Sequence, residues 1–176
     1  MKFSFKNSLR TAALGLSTIL VSSSASAHIK LEPYAGYNVT GTLSDASGTS
    51  LGTYTGFTVG ARLVVPLGNV LFFGADGSYA PGYNYTDSSS NPGTNVTATR
   101  VGAVLGLDVP GPFRLWGGYN FMDSFAASGS TYTGTSLKGG LGIKLGRVVS
   151  VQGEYINSTY SNGSGNTILT ALAFSI

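Results

Sequence analysis

The sequence predicts an all-β fold: an eight-stranded, antiparallel, up-and-down transmembrane β-barrel with four long loops on one side and three short turns on the other. Three observations lead to this prediction. Apolar residues alternate with small or polar residues in eight successive segments, which is the two-residue period of a two-faced strand. The connections between the segments alternate between long and short. Every charge inside a segment falls on the small, polar face, so the other face is apolar.

The first 27 residues have the three parts of a secretory signal peptide. A start with three basic residues is followed by a short apolar stretch at 11–21 and by Ala-Ser-Ala at 25–27, a small-x-small cleavage pattern. The apolar stretch is much shorter than the roughly 20 residues of a spanning helix. We therefore expect residues 1–27 to be cleaved and residues 28–176 to form one outer-membrane β-barrel domain.

The charge balance after cleavage excludes several classes of protein. The three basic residues of the leader account for the whole formal charge of +3, so the remaining chain is neutral and its basic composition does not indicate nucleic-acid binding. Charged residues make up only 10% of the chain, against roughly 25% in ordinary soluble proteins. Without any cysteine, the chain can form no disulfide and no thiolate metal site.

Each segment is bounded by residues that favour turns. Eight segments of roughly 9 to 12 residues match the length of a tilted strand that crosses a bilayer. The predicted strands cover 29–40, 54–65, 71–79, 99–109, 113–121, 136–145, 148–155 and 167–176. The predicted long loops, rich in Ser, Thr, Asn and Gly, cover 42–50, 81–95, 122–134 and 157–165. The predicted short turns, which contain Pro or Gly, cover 66–69, 110–112 and 146–147.

The first seven segments each place a charge within the alternating pattern. In the first, Glu32 lies between leucine and proline; in the second, Arg62 lies between alanine and leucine; in the third, Asp76 lies between alanine and glycine. The same pattern contains Arg100 and Asp108 in the fourth segment, Arg114 in the fifth, Lys138 and Lys144 in the sixth, and Glu154 in the seventh. The eighth segment has no charge and alternates Thr, Leu and Ala with larger apolar residues.

Periodicity alone does not tell which face of the strands lies inside. A soluble barrel would turn the charged face to water and fill its interior with Leu, Val and Phe. The predicted export, the loop asymmetry and the many glycines beside the charges favour the opposite orientation, because a narrow lumen needs small neighbours for long charged side chains. We therefore predict that the apolar face contacts lipid and the charged face lines the lumen.

The ten strand charges form a predicted lumen charge network, and they are expected to pair because an unpaired buried charge is costly. Two functions are open: a structural network that rigidifies the barrel, or a gate whose pairs exchange to pass water or ions. Counting from the short turns gives a lower layer of Lys30, Glu32, Arg62, Asp108, Arg114 and Lys144 and a higher layer of Asp76, Arg100, Lys138 and Glu154. Four further charges lie outside the predicted strands: Asp45, Asp87 and Asp123 in long loops and Arg147 in a short turn.

Aromatic residues on the apolar face cluster toward the two ends of the predicted strands. Such residues form girdles where a barrel meets the two headgroup layers. The predicted lipid-facing girdle residues are Tyr37, Phe57, Tyr79, Tyr119, Phe121 and Tyr155 toward the long loops and Phe73, Phe113 and Phe174 toward the short turns.

Four features of the chain resemble those of a known family. They are the eight predicted strands, the small size, and the stretches E-P-Y-A-G-Y-N at 32–38 and F-F-G-A-D-G-S-Y at 72–79. The chain resembles the small outer-membrane β-barrels typified by the OmpA transmembrane domain and OmpX. The resemblance covers residues 28–176 and implies a porin-like protein of the Gram-negative cell envelope. Its expected partners are the lipid bilayer, lipopolysaccharide and the outer-membrane assembly machinery, and we expect a monomer with a structural, envelope-integrity or surface-contact role.

The inventory of reactive residues predicts no catalytic, cofactor or metal site. The G-T-S-L-G sequence at 48–52 has the letters of a serine-hydrolase elbow but lies between two strands instead of on a strand-to-helix turn. The only histidine, His28, precedes the first strand. A narrow or gated pore is the alternative to a non-enzymatic envelope protein. An outer-membrane lipid-modifying enzyme is the weaker alternative, because it requires a histidine in a strand.

Overall fold

The barrel is described here by a computed structural model, which covers residues 29–89, 92–127 and 130–176. Eight strands form one closed barrel in which each strand pairs antiparallel with its neighbour in the chain and β8 pairs with β1. The predicted all-β, eight-stranded antiparallel barrel is therefore confirmed. The predicted signal peptide lies outside the described residues. The strands are β1 (Lys30–Asp45), β2 (Ser50–Leu67), β3 (Leu71–Asp87), β4 (Pro92–Asp108), β5 (Phe113–Ala127), β6 (Ser130–Lys144), β7 (Val149–Tyr160) and β8 (Gly163–Phe174).

The first and last strands close the barrel. Tyr34 lies opposite Ala173 in the β1–β8 ladder, and the backbones of Leu31 and Ile176 exchange two hydrogen bonds of 3.1 and 2.9 Å. Closure pairs the backbone groups that would otherwise form two open sheet edges. In the part of the chain that the structure describes, no helix is long and apolar enough to cross a membrane.

The strands are longer than predicted, and they include most residues of the four predicted long loops. β1 continues to Asp45 and β2 begins at Ser50, while β7 and β8 are separated only by residues 161–162. Tyr and Thr, which are common in these polar stretches, favour strands, so a polar composition does not prevent ladder pairing. The barrel wall therefore extends well beyond its apolar band. We call this extended side the hairpin end and the opposite side, with connections at 68–70, 109–112 and 145–148, the turn end.

β-Bulges explain why three of the predicted strands, β1, β3 and β5, stopped early. In β5, both Phe121 and Met122 are exposed, and the ladder with β6 shifts register between Asn120 and Asp123. A bulge inserts one residue and reverses the alternation beyond it. Similar shifts lie next to the consecutive exposed pairs 39–40 in β1 and 81–82 in β3. Each bulge lies at the end of a predicted strand, where strict two-residue alternation fails.

The two faces of the barrel wall have inverted polarity compared with a soluble protein. Large apolar side chains such as Phe57 and Leu137 are exposed on the outside, at 69% and 64%. Charged residues such as Arg62 and Asp76 are buried inside, at 2% and 3%. The lumen is filled by three groups of apolar side chains and by the charged residues between them.

Candidate functional site in the barrel interior

The middle of the lumen contains a buried cluster of two cations and two carboxylates. Arg62 Nε donates a 2.8 Å hydrogen bond to Asp76 Oδ2, and its Nη2 lies 3.4 Å from Glu154 Oε2. Lys138 Nζ lies 3.0 Å from Asp76 Oδ2 and 3.8 Å from Glu154 Oε1. These four side chains come from β2, β3, β6 and β7, so the pairs connect opposite parts of the wall. The cluster is neutral as a whole.

Aromatic side chains complete this middle cluster. Trp116 Nε1 donates a 2.7 Å hydrogen bond to Glu154 Oε2, and Tyr34 Oη donates a 2.9 Å bond to Asp76 Oδ1. The Arg62 guanidinium carbon lies 4.7 Å from the Trp116 ring centroid, a cation–π contact. Both carboxylates therefore accept bonds from neutral donors as well as from cations, which reduces the cost of burying them.

Glycines provide the space for these large interior side chains. A Cβ on Gly140 would lie 2.1 Å from the Trp116 ring, and a Cβ on Gly60 would lie 2.3 Å from the Tyr34 ring. A Cβ on Gly118 would lie 2.9 Å from Lys138 Cε. The glycines on the charged face thus have a steric role at these positions, because a Cβ would overlap the neighbouring side chains unless they shifted.

A second ionic cluster lies toward the turn end. Arg114 Nη1 donates to both oxygens of Glu32 at 2.6 and 2.7 Å, and Arg114 Nε donates to Asp108 Oδ1 at 2.6 Å. Lys144 Nζ lies 2.9 Å from Asp108 Oδ1. The Arg114 guanidinium also lies over the Phe72 ring, at 4.6 Å from its centroid. Arg114 Nη2 also donates to Asp108 Oδ2 at 3.2 Å, so the bidentate Arg114–Asp108 contact fixes the guanidinium plane while Nη1 reaches Glu32 across the barrel.

A third ionic pair lies toward the hairpin end, and it corrects the prediction that Asp123 belongs to a loop. Asp123 lies in β5, is 1% exposed, and its Oδ2 lies 3.3 Å from Arg100 Nε. Ser158 Oγ donates to Asp123 Oδ2 at 2.7 Å, and Tyr160 Oη donates to Oδ1 at 3.3 Å. The bulge at 121–122 turns Asp123 inward, so strict alternation could not identify it.

The two predicted charge layers are thus three clusters in the structure. Arg62, predicted in the lower layer, lies in the middle cluster, and Arg100 lies apart from the middle cluster with Asp123. Lys138 faces both Asp76 and Glu154, and Lys144 lies with Arg114 on Asp108. Lys30 is exposed at the turn end and makes no ion pair within the described part of the chain.

An apolar group that sequence reasoning missed closes the lumen at the hairpin end. The rings of Tyr54 and Phe125 lie 4.7 Å apart, and those of Tyr54 and Tyr83 lie 5.0 Å apart. Tyr83 Oη also accepts a hydrogen bond from Asn38. Most members follow a bulge or belong to a predicted loop, so their alternation was not visible. We call this group the upper aromatic cluster: Leu43, Tyr54, Ala80, Tyr83, Tyr85, Val96, Ala98, Phe125, Ala127 and Tyr160.

The outer wall carries all of the predicted girdle residues. Tyr37 and Phe57 contact each other edge to face, with ring centroids 5.2 Å apart. Their lipid contact stays a prediction. Phe73 is half-buried, and the exposed members are Tyr37, Phe57, Tyr79, Phe113, Tyr119, Phe121, Tyr155 and Phe174.

Residues at the hairpin end form a compact turn but no reactive constellation. Asp45 Oδ1 accepts hydrogen bonds from Ser47 Oγ at 2.6 Å and from the backbone amides of Ser47 and Thr49 at 2.9 Å each. These bonds, with the Ser47 hydroxyl first, lower the pKa of the Asp45 carboxyl. Ser50, in the hydrolase-like sequence, begins β2. The described residues contain no group of three His, Cys, Asp or Glu side chains placed to hold a metal ion.

Known structures with this barrel provide the comparison. The chain is similar to Ail, the attachment invasion locus protein of Yersinia pestis, solved in complex with the heparin analogue sucrose octasulfate: the TM-score is 0.58 and the identity 16%, over 84% of this chain and 99% of Ail. It is also similar to the backbone structure of Ail in a phospholipid bilayer nanodisc, with a TM-score of 0.52, 16% identity, and coverage of 85% and 100%. Neisserial surface protein A gives a TM-score of 0.52 and 14% identity, over 83% and 96% of the two chains.

These likenesses define the class of fold. The chain has the fold of the small eight-stranded outer-membrane β-barrels. No family model and no curated protein sequence matches the chain significantly. The particular resemblance to OmpA and OmpX therefore stays a prediction.

Proposed function

We propose that this protein is a non-enzymatic integral outer-membrane protein of a Gram-negative bacterium, with a closed lumen and a surface-contact role at its hairpin end. The observation that carries the proposal is the inverted polarity of the barrel wall. Leu137, Leu141 and Phe57 are half or more exposed on the outside, while Arg62 and Asp76 are buried inside. A continuous apolar belt of this kind is an aggregation hazard in water but matches the hydrocarbon core of a bilayer.

The outer membrane fits this belt best for two reasons. Closed antiparallel barrels with outward apolar residues are the spanning structures of that membrane. The predicted signal peptide at 1–27 supports export across the inner membrane. With short turns toward the periplasm, the hairpin end faces the outside of the cell. Lipopolysaccharide and the assembly machinery are then the expected partners, and the assignment to OmpA-like and OmpX-like proteins in particular is part of this proposal.

The hairpin end suits a neutral or cationic ligand better than a polyanion. Its exposed side chains are mainly Ser, Thr and Asn, and its charged side chains near the surface are the half-buried carboxylates Asp45 and Asp87. The four stretches that form this end, at 40–54, 80–99, 122–137 and 155–167, contain no Lys, Arg or His. We therefore do not propose a polyanion, such as the heparin analogue bound to Ail, as a ligand of this chain.

A structural lumen is supported over a pore by what fills the interior. The cavity beside Arg62 measures about 10 Å³ and is lined by Tyr34, Gln152 and Glu154 among others, which is room for about one water molecule. The upper aromatic cluster lies between this cavity and the hairpin end. Eight-stranded barrels have interiors just wide enough for side chains. The ion pairs then serve to rigidify the wall.

A non-enzymatic role is supported by the residues available for chemistry. His28 is the only histidine and precedes β1, so no strand supplies an imidazole base. The buried carboxylates Asp76, Asp123 and Glu154 are each paired with a cation, which suits a structural role better than proton transfer. Purified barrel is accordingly expected to release no product from labelled lipid A.

A deletion at the hairpin end tests the surface-contact role. Replacing residues 86–92 by Asn-Gly closes the ladder at the Tyr85–Gly93 pair with a two-residue turn and removes the tip of this hairpin. We expect bacteria that display this variant to lose adherence to cultured host cells while the barrel stays folded. The control replaces residues 110–112, at the opposite end, by Asn-Gly, which keeps the register of the Asp108–Arg114 pair and should leave adherence unchanged. The proposal would be contradicted if cells that lack the whole protein showed the same adherence and the same envelope phenotype as wild-type cells.

A further inference from the structure

A cationic cavity at the turn end has no role in the proposed surface contact. Its volume is about 350 Å³. Two of its lining cations, Arg114 and Lys144, already hold Glu32 and Asp108. The cavity lies on the opposite side of the barrel from the upper aromatic cluster. Its lining residues are Lys30, Glu32, Arg114, Lys144, Gly146, Arg147, Val148, Val149, Ser150 and Ser175.

Two further cations of the cavity, Lys30 and Arg147, are uncommitted. Both side chains are exposed, and neither forms an ion pair with any residue that the structure describes. The four cations Lys30, Arg114, Lys144 and Arg147 face only two carboxylates, Glu32 and Asp108, so two positive charges remain in excess. Even a carboxylate at Ile176, whose backbone is bonded to Leu31, would leave one. The cavity therefore attracts an anion, and a planar guanidinium at Arg147 suits phosphate oxygens.

The rim of the cavity is apolar, which favours an amphiphilic ligand with an acyl chain over a free anion. Leu145 and Val148 flank Arg147 and are 64% and 52% exposed. Ile29, next to Lys30, is 66% exposed, and Ile176, on the adjoining strand end, is 77% exposed. Basic side chains between exposed apolar residues at a barrel end place their charges at headgroup level. An acyl chain can therefore follow the rim while its headgroup reaches the cations.

We infer that the turn-end cavity binds the phosphate of an anionic phospholipid headgroup, with Lys30 and Arg147 as its contacts and Leu145 and Val148 beside its acyl chains. This inference rests on the proposed membrane orientation, which places the turn end at the inner leaflet. The site anchors the barrel in register with that leaflet. The paired Arg114 and Lys144 supply the positive background but keep their own carboxylate partners.

Native mass spectrometry of the full barrel, released from nanodiscs that contain equal amounts of phosphatidylglycerol and phosphatidylcholine, tests the site. We expect wild-type protein to retain phosphatidylglycerol preferentially. The double variant K30Q/R147Q should lose that preference by roughly 25-fold, since each of the two basic side chains contributes about fivefold in affinity near an anionic lipid surface. Both side chains are exposed, so the variant should fold, which circular dichroism checks.

A charge-relocated variant is the matched control. It combines K30Q/R147Q with Ser130→Lys and Ser161→Lys, two exposed positions at the hairpin end, and so keeps the wild-type net charge. It should behave like K30Q/R147Q. A wild-type preference in the relocated variant would overturn the inference, because net charge and not the cavity would then select the lipid.

Two other results would also overturn the lipid assignment. One is equal retention of the two lipids by wild-type protein. The other is complete displacement of phosphatidylglycerol by soluble glycerol phosphate at comparable concentration, which would identify a site for free phosphate. A barrel that inserts into nanodiscs but shows either result leaves the proposed membrane function intact. A chain that does not insert at all would contradict the proposed function itself.

Discussion

Lys138 Nζ lies 3.0 Å from Asp76 Oδ2 in the middle of the lumen, and both side chains are almost completely buried. The two residues come from β6 and β3, which are not neighbours in the sheet. Their contact therefore crosses the barrel and joins two parts of the wall. Arg62 and Glu154 complete the cluster and balance its charge.

Removal of one charge from this cluster should weaken the barrel without preventing folding. K138Q leaves Asp76 and Glu154 with a single cation, so we expect the free energy of unfolding to fall by about 3 kcal/mol. The double variant D76N/K138Q restores neutrality and should recover part of the loss. Urea unfolding in detergent micelles measures both values.

The matched control for this substitution is K144Q. Lys144 also contacts an aspartate, at 2.9 Å from Asp108, but its side chain is 34% exposed. Because solvent screens such a pair, we expect a loss below about 1 kcal/mol. An equal loss in K138Q and K144Q would contradict the distinction between the middle cluster and the turn-end cluster.

One added methyl group at Gly140 should destabilise the barrel. In G140A the new Cβ would lie 2.1 Å from the Trp116 ring, which is fixed by its bond to Glu154. We expect a loss of about 1 to 3 kcal/mol from the strain. Trp116 is the only tryptophan, so its fluorescence reports the local packing directly.

Gly153 provides the control for G140A. It also lies in a strand, but a Cβ there would meet no atom within 4 Å. G153A should therefore leave both the stability and the Trp116 emission unchanged. Equal effects at the two glycines would show that strand propensity, and not contact with Trp116, sets the cost.

The filled lumen should not conduct ions. We expect wild-type barrel in planar bilayers to give no stable single-channel currents, because the Arg62 side of the lumen leaves a cavity of only about 10 Å³. E154A removes one carboxylate and should not create a channel, since the upper aromatic cluster stays in place. Stable wild-type currents that disappear in E154A would support the gated-pore alternative instead.

A charge on the outer wall should block assembly. Leu141 is half-exposed on β6, in the centre of the apolar belt, and lysine at a bilayer midplane costs roughly 2 to 4 kcal/mol. We expect L141K to fail in membrane assembly, measured by the folded fraction in liposomes, whereas L141F should assemble normally. A soluble, folded L141K monomer would be incompatible with the proposed orientation.

The sequence was sufficient for the architecture wherever alternation is strict. Glu32, Arg62 and Asp76 share a face with glycines, and this pattern predicted both the strands and the interior position of the charges. It failed beyond the bulges, because one inserted residue reverses the faces, and at 157–160, where β7 continues without a bulge in a polar stretch that was assigned to a loop. Asp123 and Tyr83 follow such insertions, so an interior carboxylate and part of the aromatic cluster were assigned to loops.

Contacts across the lumen were only partly accessible from the sequence. The turns allow positions to be counted along a strand, and this count placed Lys138 in one layer with Asp76 and Glu154. The count was wrong for Arg62: Arg62 and Asp76 are direct cross-strand partners in the β2–β3 ladder and lie equally far from the connection at 68–70, so both belong to one layer. The cavity at Lys30 and Arg147 could not be predicted from the sequence, because it depends on how the strand ends and the turn at 145–148 are arranged in space.

Quenching by brominated phospholipids tests the orientation of the barrel wall most directly. In wild-type protein reconstituted in such lipids, Trp116 lies inside the lumen and should be quenched weakly. In W116F/L141W the single tryptophan replaces an outward leucine and should be quenched strongly. Strong quenching of Trp116 with weak quenching at position 141 would contradict the account, because the charged face would then be the one that contacts lipid.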